Sequence, residues 1–305
     1  MKIGIPRALL YYYFKDLWLG FFEELGVQTI VSPETNKDIM RRGIQLSVDE
    51  GCFSSKLYVG HVDWLLKRCD MIFAPRVESM AELEEYCMRI YGTYDLVRAT
   101  FPEAKLLHAN IDAYRRRREA TAFISIGEQL GKTPEQSTEA YKKASERFRS
   151  AKATVLENQN KLLDSDKFKV LVISHKYNSH DKMIGADVLD YFAKNNVDVL
   201  FADIVDEALA TQKTRELYGT RVYWKVHSDI LGGIQLYKDK VDGMVIISTF
   251  PCGPDSLLND MIILGNKDKP ILSLMVDELD ASAGLITRLE SFVDLLEQKK
   301  EKANA

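Results

Sequence analysis

Short apolar runs of strand length alternate along this chain with stretches that have the period of a helix. The runs fall into two sets, residues 2–5, 27–31, 71–74 and 105–109, followed by residues 169–174, 197–202, 243–247 and 270–276. Between them, segments such as 9–25 and 186–194 repeat apolar positions at helical spacing. Alternating strands and helices predict parallel sheets covered by helices on both faces, and therefore the α/β class.

The two sets of runs also share a layout. Each begins with a strand, a loop, a helix, a turn and a second strand, and a later strand in each set leads into a loop that carries a cysteine. These cysteines are Cys87 in the first set and Cys252 in the second. The pattern predicts two similar α/β lobes, at residues 1–113 and 166–305.

A polar segment with helical period, residues 114–165, separates the lobes and predicts a helical connector. Thr133, Pro134 and Gln136 have the spacing of a helix start, with Thr133 as N-cap. Residues 127–133 resemble a phosphate-binding loop, but the segment is one residue short and follows a helical run. We therefore interpret it as a turn between two helices. Residues 283–299 predict an amphipathic helix that packs on the second lobe.

Composition excludes several classes of protein. With 305 residues, 46% apolar and 28% charged, the chain matches globular proteins and has room for two domains. Its net charge of −4 gives no reason to expect nucleic acid or a membrane surface as a partner. No early apolar run resembles a secretory signal or a membrane span, so we expect a cytoplasmic protein. In that compartment its four cysteines are expected to remain reduced and to act as thiols, metal ligands or nucleophiles.

Three of the cysteines lie where a parallel sheet gathers ligands. Cys87 and Cys252 are in loops that follow strands, and ligands bind beyond the carboxyl ends of such strands. Cys52 precedes a helical run and has Lys56 nearby, so that the helix dipole and the charge favour its thiolate. Thiolates are the ligands of iron–sulfur clusters and of zinc. Cys69, directly before a strand, is expected to point into packing. Spacing alone, without a Cys-x-x-Cys pair, equally fits structural thiols.

Other side chains near the predicted strand ends are candidates for the site. His175 follows the first strand of the second lobe and is expected at the same sheet edge, either as a site residue or as a loop histidine. The same alternatives hold for Tyr177, Asn178 and Asp181. Arg7, at the end of the first strand, suits a phosphate or carboxylate, or a loop cap. Glu50 is a candidate general base, or a surface carboxylate before a helix.

Seven segments, in order along the chain, carry a family resemblance. They are residues 3–9, 52–61, 75–79 leading to 85–87, 175–178, 223–224 with 230–232, 250–255 and 283–290. They resemble the cysteine-bearing components of the 2-hydroxyacyl-CoA dehydratase and benzoyl-CoA reductase group. The likeness is strongest to the acyl-CoA dehydratase activase-related, D-component-like branch.

The resemblance implies two flavodoxin-like lobes with an oxygen-sensitive 4Fe–4S cluster in the cleft, bound by Cys52, Cys87 and Cys252. One iron is then left for water, substrate oxygen or sulfide. Relatives deliver a low-potential electron to an acyl-CoA thioester, which permits loss of an unactivated hydroxyl. A separate ATP-hydrolysing activator supplies that electron, and a second related subunit or a homodimer completes the enzyme. We thus predict an anaerobic oxidoreductase or lyase component.

Two other functions fit the same residues. An electron carrier would hold a reversible cluster without acyl-CoA chemistry of its own. A scaffold or regulatory protein would leave its cysteines empty or fill them with zinc. Zinc prefers a fourth protein ligand, and the candidates are the five histidines, His61, His108, His175, His180 and His227.

Overall fold

The computed structural model describes residues 1–81, 84–220, 222–279 and 283–304. The chain divides into two units. Unit 1 comprises Met1–Thr154 with Tyr223–Lys225, and unit 2 comprises Val155–Val222 with Val226–Ala305. Both contain parallel sheets and helices, which confirms the predicted α/β class. In the described part of the chain, no helix combines the length and the apolar character needed to span a membrane.

Unit 1 is built on a four-stranded parallel sheet with the order β2-β1-β3-β5. Its strands are β1 (Lys2–Ile5), β2 (Gln28–Val31), β3 (Met71–Phe73), β4 (Arg76–Ser79), β5 (Leu106–Leu107) and β6 (Asn110–Asp112). Its helices are α1 (Tyr11–Glu24), α2 (Lys37–Gln45), α3 (Phe53–Leu65), α4 (Met88–Tyr91), α5 (Thr93–Thr100), α6 (Glu119–Gln129) and the first part of α7 (Pro134–Leu162). The four predicted strands all lie in this sheet. The small parallel pair β4–β6 was not predicted.

Unit 2 contains a second four-stranded parallel sheet, with the order β10-β9-β7-β8. Its strands are β7 (Lys169–Ile173), β8 (Asp198–Phe201), β9 (Gly243–Thr249) and β10 (Ile271–Val276). Its helices are α8 (Lys176–Ser179), α9 (Ala186–Lys194), α10 (Glu207–Tyr218), α11 (Lys225–Tyr237, whose first residue belongs to unit 1), α12 (Gly253–Gly265) and α13 (Ala283–Asn304), with a 3₁₀ turn at Lys238–Lys240. In both sheets the chain order is second, first, third, fourth, as in flavodoxin-like folds. The predicted similarity of the lobes is confirmed at this level.

Each unit has a core of the kind its sequence predicts. In unit 1, Phe22 and Trp18 of α1 pack edge-on against Phe73 of β3, and Phe21 packs against Phe123 of α6. All five rings are buried. In unit 2, every residue of β9 is buried, as expected for an inner strand of a parallel sheet covered on both faces.

The start of α7 is a reciprocal capping box. The backbone N–H of Gln136 donates to Thr133 Oγ1 at 3.2 Å, and the backbone N–H of Thr133 donates to Gln136 Oε1 at 3.0 Å. This confirms the predicted helix start. Because Thr133 caps α7 and the preceding Gly127 lies inside α6, the segment that resembles a phosphate-binding loop is a helix–helix turn.

Two adjacent glycines let α11 approach its neighbours at backbone distance. A Cβ on Gly233 would lie 1.9 Å from the carbonyl oxygen of Ala202, directly after β8. A Cβ on Gly232 would lie 2.3 Å from the carbonyl oxygen of Ala210 in α10. Any larger side chain here would push α11 outwards. The close packing of α11 on these neighbours therefore depends on the two glycines.

The substitution Gly233→Ala is expected to lower the free energy of unfolding by about 1–3 kcal/mol, since the added methyl overlaps a backbone oxygen. Urea denaturation followed by circular dichroism measures this loss. Gly265→Ala is the matched control in the same unit, because no described atom outside its own helix and chain neighbours lies within 4 Å of its Cβ position. The control should be unchanged or slightly more stable, as alanine favours helix over glycine. Equal midpoints for the two variants would contradict the proposed close approach.

Candidate functional site

The carboxyl ends of β7 and β9 meet in the middle of the sheet of unit 2. The strands lie side by side, and the hydroxyl of Ser174, directly after β7, donates to the carbonyl oxygen of Ile247 in β9 at 2.7 Å. The chain leaves β7 through His175 and leaves β9 through Cys252. In doubly wound sheets the ligand crevice lies at this point, where the order of strands reverses.

Three buried side chains converge beside these strand ends. Nε2 of His175 lies 2.9 Å from Oδ1 of Asp255, and Nε2 of His227 lies 2.8 Å from the same oxygen. His175 is the N-cap of α8, His227 is in the first turn of α11, and Asp255 is in the first turn of α12. Their exposures are 4%, 3% and 6%. Three helix starts therefore meet at one carboxylate oxygen, which we call the His–His–Asp cluster.

Burial and neighbouring charges shift the pKa values of the His–His–Asp cluster in opposite directions. Burial opposes ionisation of Asp255, but the charge and hydrogen bonds of the two histidines outweigh it and hold its pKa well below the usual range. Burial also opposes protonation of His175, yet the charge and hydrogen bond of Asp255 raise its pKa. For His227, burial dominates and the pKa is lowered. Without a bound ion, the carboxylate is therefore ionised and His175 is the histidine that more readily carries a proton.

Neighbouring polar residues hold this arrangement in place. The ring of Tyr177 stacks on His175 with centroids 4.8 Å apart, and Asp181 Oδ1 accepts from the backbone N–H of Met183 at 2.9 Å. On the other side, Asn259 Nδ2 donates to Ser248 Oγ at 3.1 Å and so ties α12 to β9. Tyr177 thus contacts the cluster, whereas Asp181 stabilises a turn. Asn178, the third residue in this predicted group, is buried in α8.

The three predicted cluster cysteines share a local setting. Cys52, Cys87 and Cys252 are the N-caps of α3, α4 and α12, and each is partly exposed. Cys52 and Cys87 belong to unit 1, and Cys252 belongs to unit 2. Because Cys252 is one helical turn before Asp255, its loop and the His–His–Asp cluster share the start of α12.

Cys69 lies in a different environment. Its Sγ donates to the carbonyl oxygen of Leu65 at 3.3 Å, and a Cβ on Gly4 of β1 would lie 2.5 Å from that sulfur. Burial raises the pKa of the Cys69 thiol. The expectation that Cys69 points into packing is confirmed.

Arg7 and Glu50, the other predicted site residues, lie in unit 1. The backbone N–H of Arg7 donates to Ser32 Oγ at 2.8 Å, and its guanidinium lies 3.7 Å from the carboxylate of Glu34. Arg7 is thereby held where β1 and β2 end. Glu50 is exposed in the loop that precedes Cys52. Their catalytic roles stay predictions.

A buried histidine supports the segment around Arg7. His61 is fully buried in α3, with Nδ1 2.9 Å from Ser32 Oγ and Nε2 2.9 Å from Thr35 Oγ1. Burial, with a contribution from the charge of Arg7, lowers the pKa of His61 to about 3. His61 is therefore neutral, and it connects α3, which Cys52 caps, to the chain after β2.

Sequence reasoning placed His175 at this sheet edge but did not find its partners. Asp255 stands three residues after Cys252, where a first helical turn would place a carboxylate, and that spacing is the signal that could have identified it. For His227 the sequence indicates only a candidate zinc ligand beside the cysteines. No local pattern links it to Asp255.

Residues 2–205 match the model of the family described as CoA enzyme activase uncharacterised domain. The chain belongs to this family. Membership confirms the activase-related part of the resemblance, while the narrower likeness to a dehydratase D-component is outside what the match covers. None of the curated proteins with which the sequence was compared matches it.

Solved structures that match this chain do so at low identity and low TM-score, as three of them show. SBP FpvC from Pseudomonas aeruginosa in complex with Mn²⁺ has 12% identity and a TM-score of 0.29, over 99% of both chains. A Zn(II)-bound mutant of AdcAII from Streptococcus pneumoniae has 9% identity and a TM-score of 0.29, over 98% of both chains. A LacI family transcriptional regulator from Arthrobacter sp. FB24, in complex with lactose, has 9% identity and a TM-score of 0.25, over 90% of this chain and 96% of that one. At such TM-scores the likeness supports no inference.

The neutral state of His61 predicts that acid destabilises the protein. The folded pKa of His61 is depressed, so the unfolded state binds a proton that the folded state does not, at pH values between 6.5 and about 3. Stability is therefore lost as the pH falls through this window, by about 1.4 kcal/mol of unfolding free energy per pH unit from this residue. Urea denaturation at a series of pH values measures the slope.

The variant His61→Gln removes the titrating group and provides the comparison. Its unfolding free energy should fall less steeply than that of the wild type over the same pH window, whatever its stability at neutral pH. Parallel slopes for the two proteins would show that His61 is protonated in the folded state, contrary to the structure.

Proposed function

We propose that this chain is an iron–sulfur component of a CoA-enzyme system, in which Cys52, Cys87 and Cys252 hold a 4Fe–4S cluster. The observation that carries the proposal is the common setting of these three cysteines. Each stands at the N-cap of a helix, whereas Cys69 lies against Gly4 of β1 and its Sγ donates to the carbonyl oxygen of Leu65. The proposed substrate is an acyl-CoA or another small molecule that accepts a low-potential electron.

The chemistry of this donor set fits such a cluster. Each of the three cysteines offers one sulfur ligand. Thiolates are the ligands that iron–sulfur clusters require. When bound, the cluster supplies a low-potential electron and, with only three cysteine ligands, one iron that is open to substrate.

The other site residues are assigned supporting roles. Arg7, held between Ser32 and Glu34, is proposed to bind a phosphate or carboxylate of the substrate. Glu50 is exposed beside Cys52 and is the proposed general base. His175 does not need to contact substrate. Through Asp255 it positions the first turn of α12, and therefore Cys252.

The proposed protein partners are based on the family to which the chain belongs. Membership of an activase-related family suggests a partner dehydratase protein. The segment that most resembles a phosphate-binding loop is a helix turn closed by a capping box. Following the family resemblance, we propose a separate ATP-hydrolysing activator protein, and a second related subunit or a homodimer to complete the system.

Protein purified without oxygen is expected to contain about four iron and four acid-labile sulfide per chain. Serine substitution at Cys52, Cys87 or Cys252 should remove most of this iron, because each variant loses one ligand. Cys69→Ser is the matched control and should keep it. Iron and sulfide analysis, with electron paramagnetic resonance of the reduced protein, measures both. Little iron after anaerobic reconstitution, or equal loss in the control, would refute the cluster.

Addition of acyl-CoA thioesters separates the two redox roles. A protein that acts on an acyl-CoA should show a change in the resonance spectrum of the reduced cluster when the thioester binds near the open iron. An electron carrier should show an unchanged spectrum with every thioester. This second result would favour the electron-carrier function.

A further inference from the structure

In the His–His–Asp cluster, hydrogen bonds account for the buried carboxylate of Asp255 but not for every imidazole nitrogen. His175 and His227 direct the same atom, Nε2, at one oxygen of Asp255, at 2.9 and 2.8 Å. His175 Nδ1 is also buried, and among the described residues it has no hydrogen-bond partner. If His175 were protonated, its Nδ1–H would be buried without an acceptor, at a cost of about 1–3 kcal/mol.

His175, His227 and Asp255 have the ligand atoms of a metal site, and these atoms are close enough together to bind one ion. Each offers one ligand atom, and these atoms all lie within 4.8 Å of one another. Two imidazole nitrogens and one carboxylate oxygen form a set that binds zinc or non-haem iron, in sites that keep a position for a further ligand. Ligating imidazoles must be unprotonated at the ligating nitrogen. A divalent ion would therefore take the place of the protons now between Nε2 and Oδ1.

We propose that His175, His227 and Asp255 form a binding site for a single divalent transition-metal ion, separate from the site assigned to the cysteines. The ion would join the loop after β7 to the first turns of α11 and α12. Because Asp255 is one turn from Cys252, the ion would fix the cysteine loop whether or not a cluster is bound. Its role is to position this loop.

The packing of α11, which carries His227, is a further observation that supports the metal site. His227 lies on α11, which packs at backbone distance on Ala202 and Ala210 through Gly233 and Gly232. Asn259 fixes α12 from the other side through its hydrogen bond to Ser248. The ligands are therefore held on packed elements, which is the preorganisation that a metal site requires.

The test uses a full-length chain in which Cys52, Cys87 and Cys252 are all changed to serine. This background removes the proposed cluster ligands, so failure of the cluster proposal does not affect the outcome. The protein is stripped with a chelator, given Zn²⁺, desalted and analysed by mass spectrometry for metal. We expect about one zinc per chain. Adding Asp255→Asn or His227→Gln should abolish zinc retention. Adding His180→Gln is the control and should not, because His180 belongs to the same unit but lies outside the His–His–Asp cluster.

Thermal unfolding provides a second measurement, and it also shows whether each variant is folded. Zn²⁺ should raise the unfolding midpoint of the triple-serine chain, because a ligand that binds only the folded state stabilises it. The rise should be absent after Asp255→Asn, in which the side chain keeps its shape but loses its charge. The proposal is overturned if the parent chain retains no zinc and shows no rise. It is also overturned if the Asp255→Asn chain retains as much zinc as its parent.

Discussion

Parallel pairing of four strands in each unit determines where the candidate site residues lie. In unit 2, β7 pairs with β8 on one side and with β9 on the other, so the connections that leave β7 and β9 diverge at their carboxyl ends. His175 and Cys252 are the residues at which these connections begin their helices. A parallel sheet places such residues at one edge, whatever their separation along the chain.

The buried charge of Asp255 then restricts the surrounding elements. Removing an ionised carboxylate from water costs several kcal/mol unless partners compensate. The two imidazoles and the start of α12, where backbone N–H groups favour negative charge, provide that compensation. The starts of α8, α11 and α12 must therefore keep their positions for these hydrogen bonds to form. The glycines at which α11 approaches Ala202 and Ala210 help to hold this helix, which carries His227.

The sequence predicts features that depend on neighbouring residues, and it does not predict contacts between residues far apart in the chain. The apolar runs identify all four strands of each main sheet, and the Thr133–Gln136 spacing identifies the start of α7. The pair β4–β6 escapes prediction because its strands are short and partly polar, and buried and half-buried positions alternate in β4. The His–His–Asp cluster joins residues 28 and 80 positions apart. No periodicity relates such residues, because their contact depends on the order of strands and on the packing of α11.

The two proposed donor sets share α12 through Cys252 and Asp255, and they differ in the metal chemistry that they would favour. This difference would allow them separate tasks. Thiolate ligands favour iron–sulfur clusters, while imidazole and carboxylate ligands favour a single zinc or iron ion. An open iron in a cluster held by three cysteines is exposed to oxygen, whereas the His–His–Asp cluster is almost completely buried. A helix is rigid over one turn, so fixing Asp255 also fixes the N-cap position that Cys252 occupies. Loss of a cluster would then leave the cysteine loop in place, and a new cluster could be inserted without refolding the strand ends around it.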